Sequence, residues 1–457
     1  MTQSVRVLGS LDPGFAWDGD LTRDLSEFDP GSGMPAGLRG SFASVRPGSN
    51  GSWRLSRDPL GINKLFWARE PDGNILTAAL PHLLVQAGRP FETVRSIPAG
   101  SVLDLHPGGV TKETSLIPSS WFSSEDGADG ADVEQVAAAI RDKLDRYLAA
   151  LAKAHPRARV FVCLSGGLDS TGVATLVRKH FRDTVAVSFD LQRTDGPPSE
   201  DRQTARRLAK GLGIPLLEAN ATEDHMLDML DTVLLAGADW RDFNVHAALV
   251  NAVIAQNIRQ IEPSSEALVF TGDLANEFLA DYESEQYRGK TYYRLPRLSP
   301  AALRDSLVRG LDTSHREIGV FGAWELPVIQ PYAVAVDEYM KLGDEFLGSE
   351  GRKQLLCSKI FGGLIPDYIS SRTKVRAQMG DESGGGILAI CVDRGIDNAW
   401  LRRRFAELHG VENPADLDRF MRAGRYFAAR PTLEDILSKE TRSKETRSEN
   451  IFSKQGA

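Results

Sequence analysis

The stretch Arg159-Val160-Phe161-Val162-Cys163-Leu164, running into Ser165-Gly166-Gly167-Leu168-Asp169-Ser170, decides the fold. The first six residues are a short apolar run, suited to a strand buried on both faces. Two glycines interrupt it, and apolar positions then follow a helical pattern through Val177 and Phe181. A strand that turns through glycines into a helix can cradle an anion. The glycines let the backbone approach closely, and the helix N-terminus offers free N–H groups and a positive dipole end. Ser165 and Ser170 add hydroxyl donors. Ser165, Gly166, Gly167, Asp169 and Ser170 are therefore expected to bind the phosphates of a ligand. Asp169 cannot favour a phosphate directly, so its expected role is to hold Mg²⁺ that bridges the phosphates. No Gly-Lys-Ser/Thr follows, which excludes the Walker-type loop.

Working outward, the same alternation of strand and helix continues. Apolar positions from Val133 to Leu151 keep close to helical period. Asp132 and Gln135 resemble a capping box, and Pro156 marks the end. TVAVSFD (184–190), PLLEAN (215–220) and ALVFTGD (267–273) are three more strand candidates with helical stretches between. The pattern predicts an α/β fold with a doubly wound parallel sheet and its ligand at the carboxyl ends of the strands. Residues 1 to about 117 read instead as β-rich and hairpin-rich, with short runs punctuated by Gly, Pro, Asn and Asp. SSEDGADGAD (123–132) reads as a flexible linker. Beyond about residue 298 the pattern is mostly helical, and the tail, with SKETR at 438–442 and again at 443–447, is expected to be disordered.

Composition narrows the function class. The 457 residues carry a net charge of −8, which argues against nucleic acid as a bulk electrostatic partner. No apolar run approaches the roughly 18 residues of a membrane span. Three distant cysteines, Cys163, Cys357 and Cys391, build neither a disulfide framework nor a zinc knuckle, and point to a cytoplasmic setting. The eight histidines form no H-x-x-x-H pair.

The loop Ser165–Ser170 resembles the pyrophosphate loop of the ATP pyrophosphatases. LRGSFASV (38–45), SRDPLGINKLFWA (56–68), NILTAALPHLL (74–84) and VRSIPAGSVLDL (94–105) occur in the order seen in the glutaminase-type domain of asparagine synthetases. Together they resemble the asparagine synthetase superfamily. The implied organisation is a glutamine amidotransferase-like domain over 1–122, a synthetase domain over 133–430 and a tail over 431–457. Position 2 is Thr2, where the family's nucleophile is a cysteine, so the first domain is expected to be a retained scaffold. Chains of this type without that cysteine resemble β-lactam synthetases, carbapenam synthetases and lasso-peptide cyclases.

The resemblance implies ATP and Mg²⁺ as cofactors. It implies adenylation of a small-molecule carboxylic acid and attack by an amine, in natural-product biosynthesis. In Thr271-Gly272-Asp273-Leu274-Ala275-Asn276-Glu277, Leu274 stands where the family has glycine, and Asn276 where it has a second aspartate ligand to Mg²⁺. Asp273 and Glu317 are the implied candidate bases. Lys374, in SRTKVRAQMGDESGGG (371–386), is the lysine implied to stabilise pyrophosphate and the tetrahedral intermediate, with Arg376 assisting. Three other readings stay open: an ammonia-dependent asparagine-type synthetase, a macrolactam cyclase, and an ATP-binding partner protein without catalysis. A homo-oligomer is also left open.

Overall fold

In a computed structural model, residues 4–11, 14–19, 22–23, 38–48, 51–106, 109–115, 132–192, 199–264, 266–312, 315–370, 372 and 386–421 are described. Thr2, Lys374, Arg376, the linker before Asp132 and the tail lie outside the described residues.

The punctuated runs of the first hundred residues form strands β1 (Val5–Leu8), β2 (Gly14–Trp17), β3 (Thr22–Arg23), β4 (Arg39–Pro47), β5 (Trp53–Arg57), β6 (Phe66–Arg69), β7 (Ile75–Ala78), β8 (Arg95–Ser96), β9 (Ser101–His106) and β10 (Gly109–Ser115). They build a four-stranded sheet, β1-β7-β6-β8, and a six-stranded sheet, β10-β9-β5-β4-β2-β3. Pairing is antiparallel except for β1 with β7. Ala43, Leu55, Leu103 and Leu105 of the larger sheet share one core with Trp67 and Ile75 of the smaller, so the two sheets pack face to face.

The turn after β5 joins this part to the rest of the chain. The Asp58 carboxylate accepts from the N–H groups of Leu60, Ile62 and Asn63 at 3.1, 3.0 and 2.9 Å, which fixes the turn. Arg57, fully buried, donates to the carbonyls of Gly61 and Asn63 at 2.6 Å and pairs with Asp312 at 2.7 Å. Lys64 Nζ donates to the carbonyls of Gly61, Leu311 and Ile62 at 2.5, 2.6 and 3.2 Å.

The parallel sheet contains β11 (Arg159–Cys163), β12 (Thr184–Leu191), β13 (Leu216–Ala221), β14 (Ala267–Phe270) and β17 (Val328–Ile329); a separate hairpin pairs β15 (Glu285–Tyr287) with β16 (Lys290–Tyr292). Both faces of the parallel sheet are covered. Val160 and Val162 pack with the helices Val133–Ala154 and Leu168–His180. Phe161, between them, packs with the helices Leu230–Gly237 and Asp242–Ile261 on the opposite side. Each such side chain, wholly removed from water, contributes about 1.5–3 kcal/mol before entropy is counted. This two-sided burial is why the strand reads as a continuous apolar run.

Four of the five strands lie where the sequence predicts them. The fifth, β17, falls within the stretch expected to be mostly helical. Two residues are too few to show a period of two, and only pairing with β14 makes them a strand. At Asp132 the cap differs from the predicted box: the side chain accepts from Glu134 N at 3.0 Å. No helix among the described residues is long and apolar enough to cross a membrane.

The strand order β13-β12-β11-β14-β17 positions the site. From β11 the chain moves one way to β12 and β13, and β14 lies on the other side. The loops after β11 and β14 therefore leave the sheet side by side, at the point where the order reverses.

Candidate active site

The loop after β11 is held by its own hydroxyls. Ser165 N donates to Ser170 Oγ at 3.3 Å, the two serine hydroxyls lie 3.1 Å apart, and Thr171 Oγ1 donates to Gly167 O at 2.7 Å. Gly166 has φ +76°, and a Cβ there would stand 2.8 Å from Thr204 Cγ2, so the turn requires glycine. Helix Leu168–His180 starts from Gly167 with no side-chain cap, which leaves its N-terminal N–H groups for an anion. Gly272, in the β14 loop, comes so close that a Cβ would lie 2.8 Å from Ser170 N. Tyr332 OH donates to Asp169 O at 3.1 Å.

Asp169 and Asn276 are brought together, and a lysine lies between them. Lys353 Nζ donates to Asp169 Oδ2 at 2.7 Å, Asn276 Oδ1 at 2.5 Å and Asp281 Oδ2 at 2.9 Å. Burial alone would strip its proton, but Asp169 and Asp281 outweigh that and hold the ammonium well above its ordinary range. Asp169 Oδ1 is buried and has no hydrogen-bond partner. As a seat for protein-held Mg²⁺ this donor set does not fit. Asp169 Oδ2, Asn276 Oδ1 and Asp281 Oδ2 already accept from an ammonium, Asp169 Oδ1 alone is left over, and among the described residues no group of three His, Cys, Asp or Glu could hold a metal ion.

Asp273 and Glu317 meet through Arg316. Its guanidinium donates to Glu317 Oε1 and lies 3.9 Å from Asp273 and 3.6 Å from Glu277. Burial, and then the like charge of Glu317, push the Asp273 carboxyl up to about 7. Tyr282 OH donates to Glu277 Oε1 at 2.7 Å. A cavity of about 90 Å³ lies against this cluster, lined by Glu277, Tyr282, Phe243, His315 and Glu317, and by Lys64 from the β-rich part. Its wall includes buried polar atoms with no hydrogen-bond partner: Ser306 Oγ, both His315 ring nitrogens, Gln330 Oε1 and Glu277 Oε2. A mostly apolar cavity of this size, with a few unpaired polar atoms in its wall, suits a small group that carries hydrogen-bonding atoms. Burial, then Lys64 and Arg57, hold the His315 imidazole far below its ordinary range and hence neutral.

Sequence reading missed Lys353, Asp281, Arg316 and Arg372. None of them carries a local signal, because each meets its partners only in the folded chain. Glu200 and Asp201, in the first turn of the helix Glu200–Leu212, bind Arg372 at 3.0 and 2.5 Å. Arg372 also donates to Gly166 O at 3.4 Å, and so ties the segment before Lys374 to the phosphate loop. Of the tyrosines in 282–298, Tyr282 faces the cavity and Tyr293 bonds His246 at 2.7 Å.

Residues 139–319 match the family model described as asparagine synthase. The matched stretch includes Asp169, Asp273, Asn276 and Glu317 and ends before Lys353. No curated protein matches the chain. Among solved structures, the chain is similar to an NMN synthetase from Francisella tularensis, at 14% identity and TM-score 0.29, covering 65% of this chain and 94% of that one. It is also similar to an NH3-dependent NAD synthetase from Campylobacter jejuni, at 20% identity and TM-score 0.23, covering 34% of this chain and 62% of that one.

Proposed function

We propose that the chain is an ATP-dependent synthetase of the asparagine synthase type that joins a carboxylic acid to an amine. The observation that carries this is the juxtaposition, at one switch point, of the Ser165–Ser170 loop with the Asp273–Arg316–Glu317 cluster and the cavity against it. ATP would lay its phosphates on the loop and on the N-terminus of helix Leu168–His180. A carboxylate oxygen of the acid attacks the α-phosphorus, the bond to the β-phosphate oxygen breaks, and pyrophosphate leaves. The amine nitrogen then attacks the acyl carbon, the bond to the AMP oxygen breaks, and the nitrogen's proton passes to Asp273. A carboxyl that titrates near neutrality is suited to that transfer. Glu317 keeps Asp273 basic by like charge and holds Arg316 in place. Lys374 is the proposed counter-charge for the departing pyrophosphate.

The test is pyrophosphate release. Candidate acids offered with ATP should trigger it without an amine, and amide should appear only when an amine is added. Absence of pyrophosphate with every acid in a broad panel, from protein that binds ATP, would remove the synthetase reading. A second reading, an ATP-binding partner without catalysis, is favoured by the buried Leu274 at φ +84° and by the amide at Asn276. Single-turnover acquisition of an acyl-adenylate separates the two.

A further inference from the structure

Of the two side chains that the sequence reading assigns to Mg²⁺, Asp169 through Oδ2 and Asn276 through Oδ1 already accept from a cation of the chain itself. We infer that the Lys353 ammonium is the resident cation at the phosphate site and takes the place of a protein-held divalent ion. Lys353 has three N–H donors, and three side-chain oxygens receive them: Asp169 Oδ2, Asn276 Oδ1 and Asp281 Oδ2. The side chain is 11% exposed, and those of Asp169 and Asp281 are 14% and 12% exposed, so this is an enclosed cluster.

Two features of the chain agree with the exchange. The first is charge. Carboxylates at 169, 276 and 281 around a divalent ion would sum to −1. Here two carboxylates, one amide and one ammonium also sum to −1, so Asn276 and Lys353 change the balance by equal and opposite amounts. The second is position. Lys353 opens the helix Lys353–Phe361, where the dipole disfavours a cation and no side chain caps the end. Helix stability does not explain a lysine there, whereas its three oxygen partners do. Asp169 and Asp281 are also what keeps the buried ammonium charged.

The inference rests on the phosphate-loop reading only in its second arm, so the two can fail separately. In the first arm Mn²⁺ is titrated into nucleotide-free protein and followed by electron paramagnetic resonance. The wild-type chain should leave Mn²⁺ free, while Asn276→Asp combined with Lys353→Met should tighten binding by about tenfold or more. Stoichiometric Mn²⁺ binding by the wild-type chain would overturn the inference whether or not the double variant folds. In the second arm ATP binding is measured by calorimetry with excess chelator. Wild-type affinity should fall by no more than about threefold relative to Mg²⁺ buffer, because Lys353 remains to neutralise phosphate. A loss of about a hundredfold in chelator would overturn the inference. If ATP binds under neither condition while Mn²⁺ stays free, the resident cation stands and the ATP reading of the loop falls.

Discussion

Lys64, buried, and Lys353, largely enclosed, each make three hydrogen bonds from the ammonium, and they are held in opposite ways. Lys64, at the joint between the β-rich part and the rest, donates only to backbone carbonyls. Burial and the neighbouring Arg57 push it down to about 7. Lys353, at the phosphate loop, donates to two carboxylates and an amide, and its charge is held up. Carbonyl dipoles orient an ammonium without balancing its charge, while carboxylates do both. The joint thus uses a lysine as a hydrogen-bonding plug, and the site uses one as a fixed positive charge.

The largest expected effect tests that contrast directly. Lys353→Met leaves Asp169 and Asp281 buried without their counter-charge and should cost about 3–5 kcal/mol. Lys64→Met leaves only carbonyls short of donors and should cost about 1–2 kcal/mol. Chemical denaturation of the two variants beside the wild type reads both. Equal losses would mean that the two lysines are held alike.

Next in size is a rate. Asp273→Asn removes the proposed proton acceptor but none of the phosphate-loop hydroxyls. Pyrophosphate release should persist, while amide formation falls about a hundredfold. In the wild type, amide formation should rise with pH through about 7, where Asp273 loses its proton. Glu317→Gln removes the like charge and should move that midpoint down by about one unit. An unmoved midpoint would detach Glu317 from the acid's titration.

The joint makes its own pH prediction. Lys64 binds its proton more weakly folded, near 7, than unfolded, near 10.5. Between those values the unfolded chain holds the extra proton, so stability gains from this residue as pH rises. It follows that the advantage of the wild type over Lys64→Met should grow from pH 7 to 9, by at most about 1.4 kcal/mol per pH unit. Lys353 works the other way. Its raised value means that its contribution is complete below the unfolded value and is lost only when pH climbs past the folded one. The corresponding curve for Lys353→Met should be flat over the same window.

The two lysines also show what a sequence displays and what it hides. The loop with Asp169 and four of the five parallel strands were legible because each combines a local pattern with its place in the strand–helix alternation, whereas Asp273 and Glu317 came only from the family resemblance. Lys64 sits inside a legible motif, but its partner carbonyl at Leu311 is 247 residues away. Lys353 carries no local signal at all. Its partners lie 184, 77 and 72 residues distant, one on the helix after the phosphate loop and two on and just beyond the short helix Ala275–Leu279. Arg57 with Asp312, and Arg372 with Asp201, are hidden for the same reason. Local period and turn chemistry carry no information about which buried charge will meet which across the sheet.

The smallest expected effect concerns strain. Leu274 stands where the resemblance expects glycine, and it takes φ +84° and ψ −30°, a turn conformation that side chains resist. It is 1% exposed and packs in the core with Phe278 and Leu279, so burial offsets the strain. Removing the side chain entirely separates the two contributions. Leu274→Ala loses the packing and keeps the strained backbone, whereas Leu274→Gly loses the packing and relaxes it. At most positions glycine is the less stable of that pair, because it loses more freedom on folding. Here the order should reverse, with Leu274→Gly about 1 kcal/mol more stable than Leu274→Ala by thermal denaturation. If alanine proves the more stable, no strain is stored between Asp273 and Asn276. The β14 loop would then be as relaxed as the carbonyl-lined joint around Lys64.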